Sequence, residues 1–116
     1  MPVEEALKNS FVSRTQDAFI YEIKPDFPAF NGHFKGNPLL PAICQMGLCA
    51  DAYSRQTGKR QEVCGIFRAK FMRPIFPGVQ VRVKLSPRAD GRFLTELTDA
   101  DGKKYSQLIC VFKEVL

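Results

Sequence analysis

The sequence predicts an α+β chain, an antiparallel sheet wrapped around one buried helix. Three observations lead there. Residues 42–53 carry apolar side chains around nearly the whole helical surface (Ala42, Ile43, Met46, Leu48, Ala50, Ala52), interrupted by Gln45 and Asp51, and a helix apolar almost all round is a buried one. Residues 62–115 are apolar runs separated by turn signals, the pattern of successive strands. One long helix against about five strands covers a single face of the sheet, and the open sheet edges call for a second copy of the chain.

In chain order, Val3–Asn9 offers a short helix. From Asp17 to Lys24 the residues alternate, with Phe19, Tyr21 and Ile23 on one face and Ala18, Ile20 and Glu22 on a wetter one, which reads as a strand. Pro25-Asp26-Phe27-Pro28 ends it, since proline cannot donate to the ladder. Residues 25–41 then hold four prolines and two glycines, a long loop of the kind that in small domains is usually functional. Pro41 can open the helix, because its missing N–H would be unpaired at that position, and Gly58 can end it. Strands follow at Glu62–Arg73, at Val79–Leu85 with its valines on one face, at Arg92–Thr98 and at Lys104–Val115. Pro74, Pro77-Gly78, Ala89-Asp90-Gly91 and Asp99-Ala100-Asp101-Gly102 punctuate them, the last as a hairpin turn.

Composition excludes several classes. At 116 residues the chain is a single domain by size. A net charge of +5, spread along the chain without aromatic interleaving, is too small for a nucleic-acid binder; it suits an acidic partner or a phosphate-bearing substrate. No apolar run approaches the ~20 residues of a membrane span, and Met1-Pro2-Val3-Glu4-Glu5 lacks the basic and apolar regions of a signal peptide, so a cytoplasmic protein is expected. The four cysteines, Cys44, Cys49, Cys64 and Cys110, form no CxxC pair, and with one histidine no metal site and no cofactor are expected. Each lies in an apolar run and reads as a buried free thiol. Cys44 stands out because it is near the helix start, where the helix N-terminus can lower a thiol pKa.

The chemistry concentrates in Gly32-His33-Phe34-Lys35-Gly36-Asn37-Pro38-Leu39-Leu40-Pro41. It holds the only histidine of the chain. A lone imidazole before a proline-initiated helix suits acid–base work, since imidazole is mostly neutral near pH 7; the other reading is an imidazole that only holds the loop.

This segment resembles the GHFPGxPxxPG signature of the hotdog-fold 3-hydroxyacyl-acyl-carrier-protein dehydratases of the FabZ and FabA type. Phe71-Met72-Arg73-Pro74-Ile75-Phe76-Pro77-Gly78 is similar to the second block of that family, F-x-R-P-x-x-P-G, and the two blocks come in the same order and spacing. The likeness spans Asp17 to Leu116, and the lead-in Asp26-Phe27-Pro28-Ala29-Phe30-Asn31 is closer to the aryl-polyene dehydratase branch. The resemblance implies a hotdog fold and dimers, or larger assemblies of dimers, with composite sites at the interface. It also implies a substrate carried as an acyl-carrier-protein or coenzyme A thioester. By the same resemblance His33 removes the C2 proton, the Ala42 N–H binds the thioester carbonyl, and Gly36, Pro41, Cys44 and Gly47 lie along the substrate.

Three positions depart from the family. Lys35 replaces proline and Ala42 replaces glycine. Gly47, fourteen residues after His33, stands where the family has the Glu or Asp that handles the departing hydroxyl. Asp51, one turn further on, is a candidate replacement: the missing side chain at Gly47 leaves room for it, and a carboxyl buried unpaired would suit a general acid. The competing reading puts Asp51 at the wet end of the helix. Lys35, Arg68, Lys70 and Arg73 are candidates for an acidic carrier-protein surface, against the plainer reading of ordinary outward charges. Phe67, Phe71, Phe76 and Leu48 are candidates for an acyl tunnel. Three functions remain open: a dehydratase producing trans-2-enoyl thioesters in fatty-acid or polyketide-type synthesis, a hotdog thioesterase using Asp51, and a non-catalytic or partner-dependent hotdog subunit.

Overall fold

The computed structural model describes residues 3–30 and 39–116, with Ala29 described by its backbone alone. Helix α1 (Val3–Asn9) leads into β1 (Phe11–Arg14) and β2 (Phe19–Glu22), and a single 3₁₀ turn covers Pro28–Phe30. Then come α2 (Ala42–Thr57), β3 (Gln61–Phe71), β4 (Gln80–Pro87), β5 (Phe93–Thr98) and β6 (Lys104–Glu114). The strands form one six-stranded antiparallel sheet in the order β1-β2-β4-β5-β6-β3.

Helix α2 stops where its sequence says it must. Gly58 takes φ 74°, the left-handed conformation that glycine adopts without a Cβ clash, and its N–H closes the last turn on the Ser54 carbonyl at 2.8 Å. The buried stripe of α2 is Cys44, Gln45, Leu48, Cys49 and Ala52. It packs onto the inward side chains of the sheet, Val81, Val83, Leu97 and Leu108, all buried. Enclosing Leu48 completely contributes about 1.5–3 kcal/mol by area alone.

Four expectations need correction. A strand missing from the sequence reading, β1, is present; at four residues, with a register irregularity between Phe11 and Ser13, it is too short to show a period. Strand β3 follows α2 but does not pair with β4. It crosses to the far edge and pairs with β6, which chain order alone does not reveal. Ile20 is buried along with Phe19 and Tyr21, so of the expected wetter face of β2 only Glu22 is exposed. Helix α2 is not enclosed all round, for Ile43 is 69% exposed, and Met46, Gly47 and Ala50 are only partly covered.

The edge strand β3 shows why one cysteine was misplaced. Its register with β6 slips between Val63 and Gly65 and again between Ile66 and Arg68, so Cys64 and Phe67 are the extra residues of two bulges. Cys64 is exposed, whereas Cys44, Cys49 and Cys110 are buried.

Candidate active site

The two motif blocks meet at the start of α2. The Leu40 N–H donates to the Ile75 carbonyl at 2.8 Å, and both side chains are buried, so residues far apart in sequence are fixed side by side. Pro41 is the N-cap, with φ −63° and ψ 155°, and gives no side-chain hydrogen bond to the helix. Its carbonyl accepts from the N–H groups of Cys44 at 3.0 Å and Gln45 at 3.1 Å. Intrahelical partners do not exist for the first N–H groups of a helix, and among the described residues those of Ala42 and Ile43 have no acceptor; Ala42 is exposed. A depression of about 410 Å³ adjoins this end, lined by Leu39, Pro41, Ala42, Phe71, Met72 and Pro74 among others.

Gln45, read in the sequence as an interruption of an apolar helix, anchors this end. It is buried, donates to the Leu40 carbonyl at 3.3 Å and accepts from the Ser106 hydroxyl at 2.7 Å. The first turn of α2 is thereby tied to both the loop before it and strand β6.

One turn further along, the structure departs from the sequence reading. The space left by Gly47 is not empty: a Cβ built there would run into Leu7 Cδ1 of α1. Gly47 leaves the room that the end of the Leu7 side chain takes. Nor is Asp51 an unpaired carboxyl. Its Oδ2 accepts from the Tyr21 hydroxyl at 2.6 Å and from Arg55 Nε at 2.8 Å, with the Asp51 side chain 8% exposed. Arg55 in turn donates to the Lys8 carbonyl at 3.0 Å and lies 3.9 Å above the Phe11 ring. One carboxylate thus joins α2 to β2 and, through Arg55, to α1 and β1. Tyr21 is fully buried, and burial first, then the hydrogen bond to Asp51, push its pKa far above the usual phenol range. Leu7, Tyr21 and Arg55 were absent from the sequence-based site; their only signal was an apolar or amphipathic position in an element whose packing was unknown.

His33, Lys35 and Gly36 lie outside the described residues. Cys44 is buried against the core, and burial raises its thiol pKa, the opposite of the lowering that its place near the helix start suggested. Burial likewise pushes Cys49 up to about 12 and Cys110 up to about 11. Arg73 is engaged internally: it contacts Asp99 Oδ2 at 2.9 Å, donates to the Lys103 and Lys104 carbonyls, and lies 4.2 Å from the centroid of the Tyr105 ring. Arg68 and Lys70 are exposed on β3. Of the tunnel candidates, Leu48 is sealed in the core, while Phe67, Phe71 and Phe76 are about half exposed, with Arg92 stacked 3.5 Å over Phe67. Among the described residues no cluster of His, Cys, Asp and Glu could hold a metal, and no helix is long and apolar enough to cross a membrane.

A helix held in the curve of an antiparallel sheet, with two motif blocks joined at its N-terminus, defines a hotdog fold of the dehydratase type. The chain belongs to the ApeI-like dehydratases: the model of that family, described as ApeI dehydratase, matches residues 10–109. It is 31% identical over 87 residues to the 3-hydroxyacyl-acyl-carrier-protein dehydratase FabZ of Haemophilus influenzae, covering 68% of this chain and 59% of that protein. The chain therefore spans about 59% of the length of that relative. Among solved structures, an uncharacterised Erwinia carotovora protein aligns with a TM-score of 0.64 at 25% identity, over 90% of this chain and 91% of that one. The dehydratase heterocomplex ApeI:P of Xenorhabdus doucetiae aligns with a TM-score of 0.66 at 20% identity, over 87% of this chain and 91% of that one.

Proposed function

We propose that the chain is a 3-hydroxyacyl-thioester dehydratase that works as a dimer. The observation that carries this reading is the pairing of the two dehydratase motif blocks at the α2 N-terminus, where Leu40 N–H bonds the Ile75 carbonyl, in a chain of the ApeI-like family. The Ala42 N–H takes the thioester carbonyl and stabilises the negative charge that develops there when C2 loses its proton. His33 takes that proton. With Leu7 against Gly47 and Asp51 already bonded to Tyr21 and Arg55, His33 also returns the proton to the C3 hydroxyl. The C2–H and C3–O bonds break, the C2=C3 double bond forms, and water leaves.

Asp51 on this reading is a positioning residue for α1, β2 and α2. The dimer forms along the β3 edge, where Ile66, Phe67, Phe71 and Met72 are exposed; a long apolar edge strand is otherwise an aggregation site. Arg68 and Lys70 face an acidic carrier protein beside it. The test is hydration of a crotonyl thioester, presented on carrier protein and on coenzyme A, by wild type and by His33→Ala. Enoyl absorbance falls with wild type and persists with the variant; a fully active, folded His33→Ala would overturn the assignment. Release of free thiol instead would indicate a thioesterase.

A second reading is favoured by the occupied Gly47 position. No free helix carboxylate lies near it among the described residues, so on this reading a different hotdog chain supplies one. The Xenorhabdus ApeI:P dehydratase is itself a heterocomplex. A chain inert alone but active when mixed with such a partner would establish this reading.

A further inference from the structure

Helix α2 begins inside a closed ring of hydrogen bonds. The Leu40 N–H donates to the Ile75 carbonyl at 2.8 Å, and the N–H groups of Met72 and Arg73 donate to the Tyr105 carbonyl at 2.8 and 3.1 Å. The next residue of β6, Ser106, donates its hydroxyl to Gln45 Oε1 at 2.7 Å, and Gln45 Nε2 donates to the Leu40 carbonyl at 3.3 Å. The amide fits only this way round. A carbonyl only accepts, so the nitrogen must face Leu40, and the oxygen is left for the hydroxyl. The ring therefore runs from the first motif block to the second, on to β6, and back through the first turn of α2, and Gln45 closes it. Leu40, Gln45, Met72 and Arg73 also line the depression at Ala42, so the ring is part of the wall of the site.

Gln45 and Ser106 are both buried, among apolar neighbours such as Leu97 and Leu108. Replacing both members of such a pair by apolar groups of the same shape is often nearly neutral for stability, so stability alone does not call for them here. What the polar pair adds is direction. Apolar burial is non-directional, whereas two hydrogen bonds fix how the first turn of α2 is rotated and set down. We propose that Gln45 is a positioning residue for the dehydration step: it aims the Ala42 N–H at the thioester carbonyl, an assignment that rests on the acyl-thioester reading of this end. Gln45 lies three residues after Ala42 and is its neighbour on the helix surface, so a shift at one moves the other. Hydrogen bonds weaken steeply with misalignment, and a misplacement of about 1 Å in a site costs on the order of 10²-fold in rate. The N–H bond strengthens as charge builds on the carbonyl oxygen, so lost aim falls mainly on kcat.

The experiment is calorimetric titration with two unreactive pantetheine analogues of equal length, a ketone in which a methylene separates the sulfur from a butanoyl carbonyl, and its counterpart with that carbonyl reduced to a methylene. Wild type should prefer the ketone about tenfold. Gln45→Met keeps the length of the side chain and loses both hydrogen bonds. It should cut the preference to about twofold and leave the carbonyl-free analogue bound as in wild type. In the crotonyl assay its kcat should fall about 10–100-fold, with KM within about twofold. Gln45→Glu supplies a rescue. A protonated carboxyl still donates to Leu40 and accepts from Ser106, and burial favours the protonated form; ionised, it sets a negative charge against the Leu40 carbonyl. The ratio of its kcat to that of wild type should therefore fall from about pH 5 to about pH 8. Should Gln45→Met fail to fold, Ser106→Ala, which removes one of the two bonds, should lower the ketone preference in the same direction. A folded variant that keeps the full preference, or that weakens both analogues equally, would overturn the proposal. Wild type binding both analogues equally would refute the thioester reading of the Ala42 end itself.

Discussion

Replacing Asp51 separates a structural carboxylate from a catalytic one. In Asp51→Ala the fully buried Tyr21 loses the acceptor that now sits 2.6 Å from its hydroxyl. An orphaned buried donor costs about 1–3 kcal/mol. The Arg55 pair, a third exposed on the arginine side, adds only about 0.3–0.5 kcal/mol. The total is about 1.3–3.5 kcal/mol, a fall in Tm on the order of 5–15 °C for a chain of this size. Tyr21→Phe removes the donor as well and should cost only about 1 kcal/mol. The double variant Tyr21→Phe/Asp51→Ala should then be little worse than Asp51→Ala alone, with a coupling energy on the order of 1–2 kcal/mol. Asp51→Asn retains a neutral acceptor and should cost less than about 1 kcal/mol while keeping enoyl hydration within a few-fold of wild type. Thermal unfolding by circular dichroism and the crotonyl assay read both quantities. An Asp51→Ala protein as stable as wild type would refute the structural account. So would an Asp51→Asn protein of native stability whose turnover falls roughly 10²–10⁴-fold, the contribution expected of a general acid.

Thiol labelling of the native protein should modify Cys64 first and leave Cys49 and Cys110 unmodified near neutral pH, since both are buried and held protonated; peptide mapping after labelling checks it. Asp99 has its carboxyl pKa lowered, chiefly by the Lys103 N–H and further by Arg73. A depressed folded-state pKa gives stability that is present above the unfolded value and lost as pH falls through the folded one. Urea midpoints should therefore drop below about pH 4, less steeply in Asp99→Asn. Arg73→Ala should lower stability by about 1–2 kcal/mol through its lost bonds to Asp99 and two carbonyls and leave carrier-protein affinity unchanged. Arg68→Ala and Lys70→Ala should do the reverse, as titration with an acidic carrier protein would show.

Much of the fold is legible in the residues because period and punctuation agree. The alternating valines of β4, the hairpin at Asp99–Gly102 and the Gly58 helix end are local signals with local causes. What escapes is non-local. Nothing in Gln61–Phe71 says that it will pair with β6 across the sheet, and nothing in Phe11–Arg14 says that so short a segment will find Phe19–Tyr21. The site divides in the same way. The motif blocks announce the Ala42 end of α2, because backbone geometry there follows from Pro41. Gly47 announces a missing carboxylate, but not that Leu7 fills its place, since that depends on where α1 docks. Asp51 looks like a spare acid until Tyr21 and Arg55 are seen on its Oδ2. The apolar surface of α2 reads as complete burial, yet Ile43 is exposed and Met46 and Ala50 are only partly covered.

The central claim is best tested by adding a crotonyl thioester, on carrier protein and on coenzyme A, to the purified chain alone and following enoyl absorbance. The account predicts loss of absorbance that is abolished by His33→Ala and preserved by Asp51→Asn. A folded, dimeric chain that leaves the absorbance unchanged on both carriers would contradict it and would point to a partner subunit as the source of the missing carboxylate.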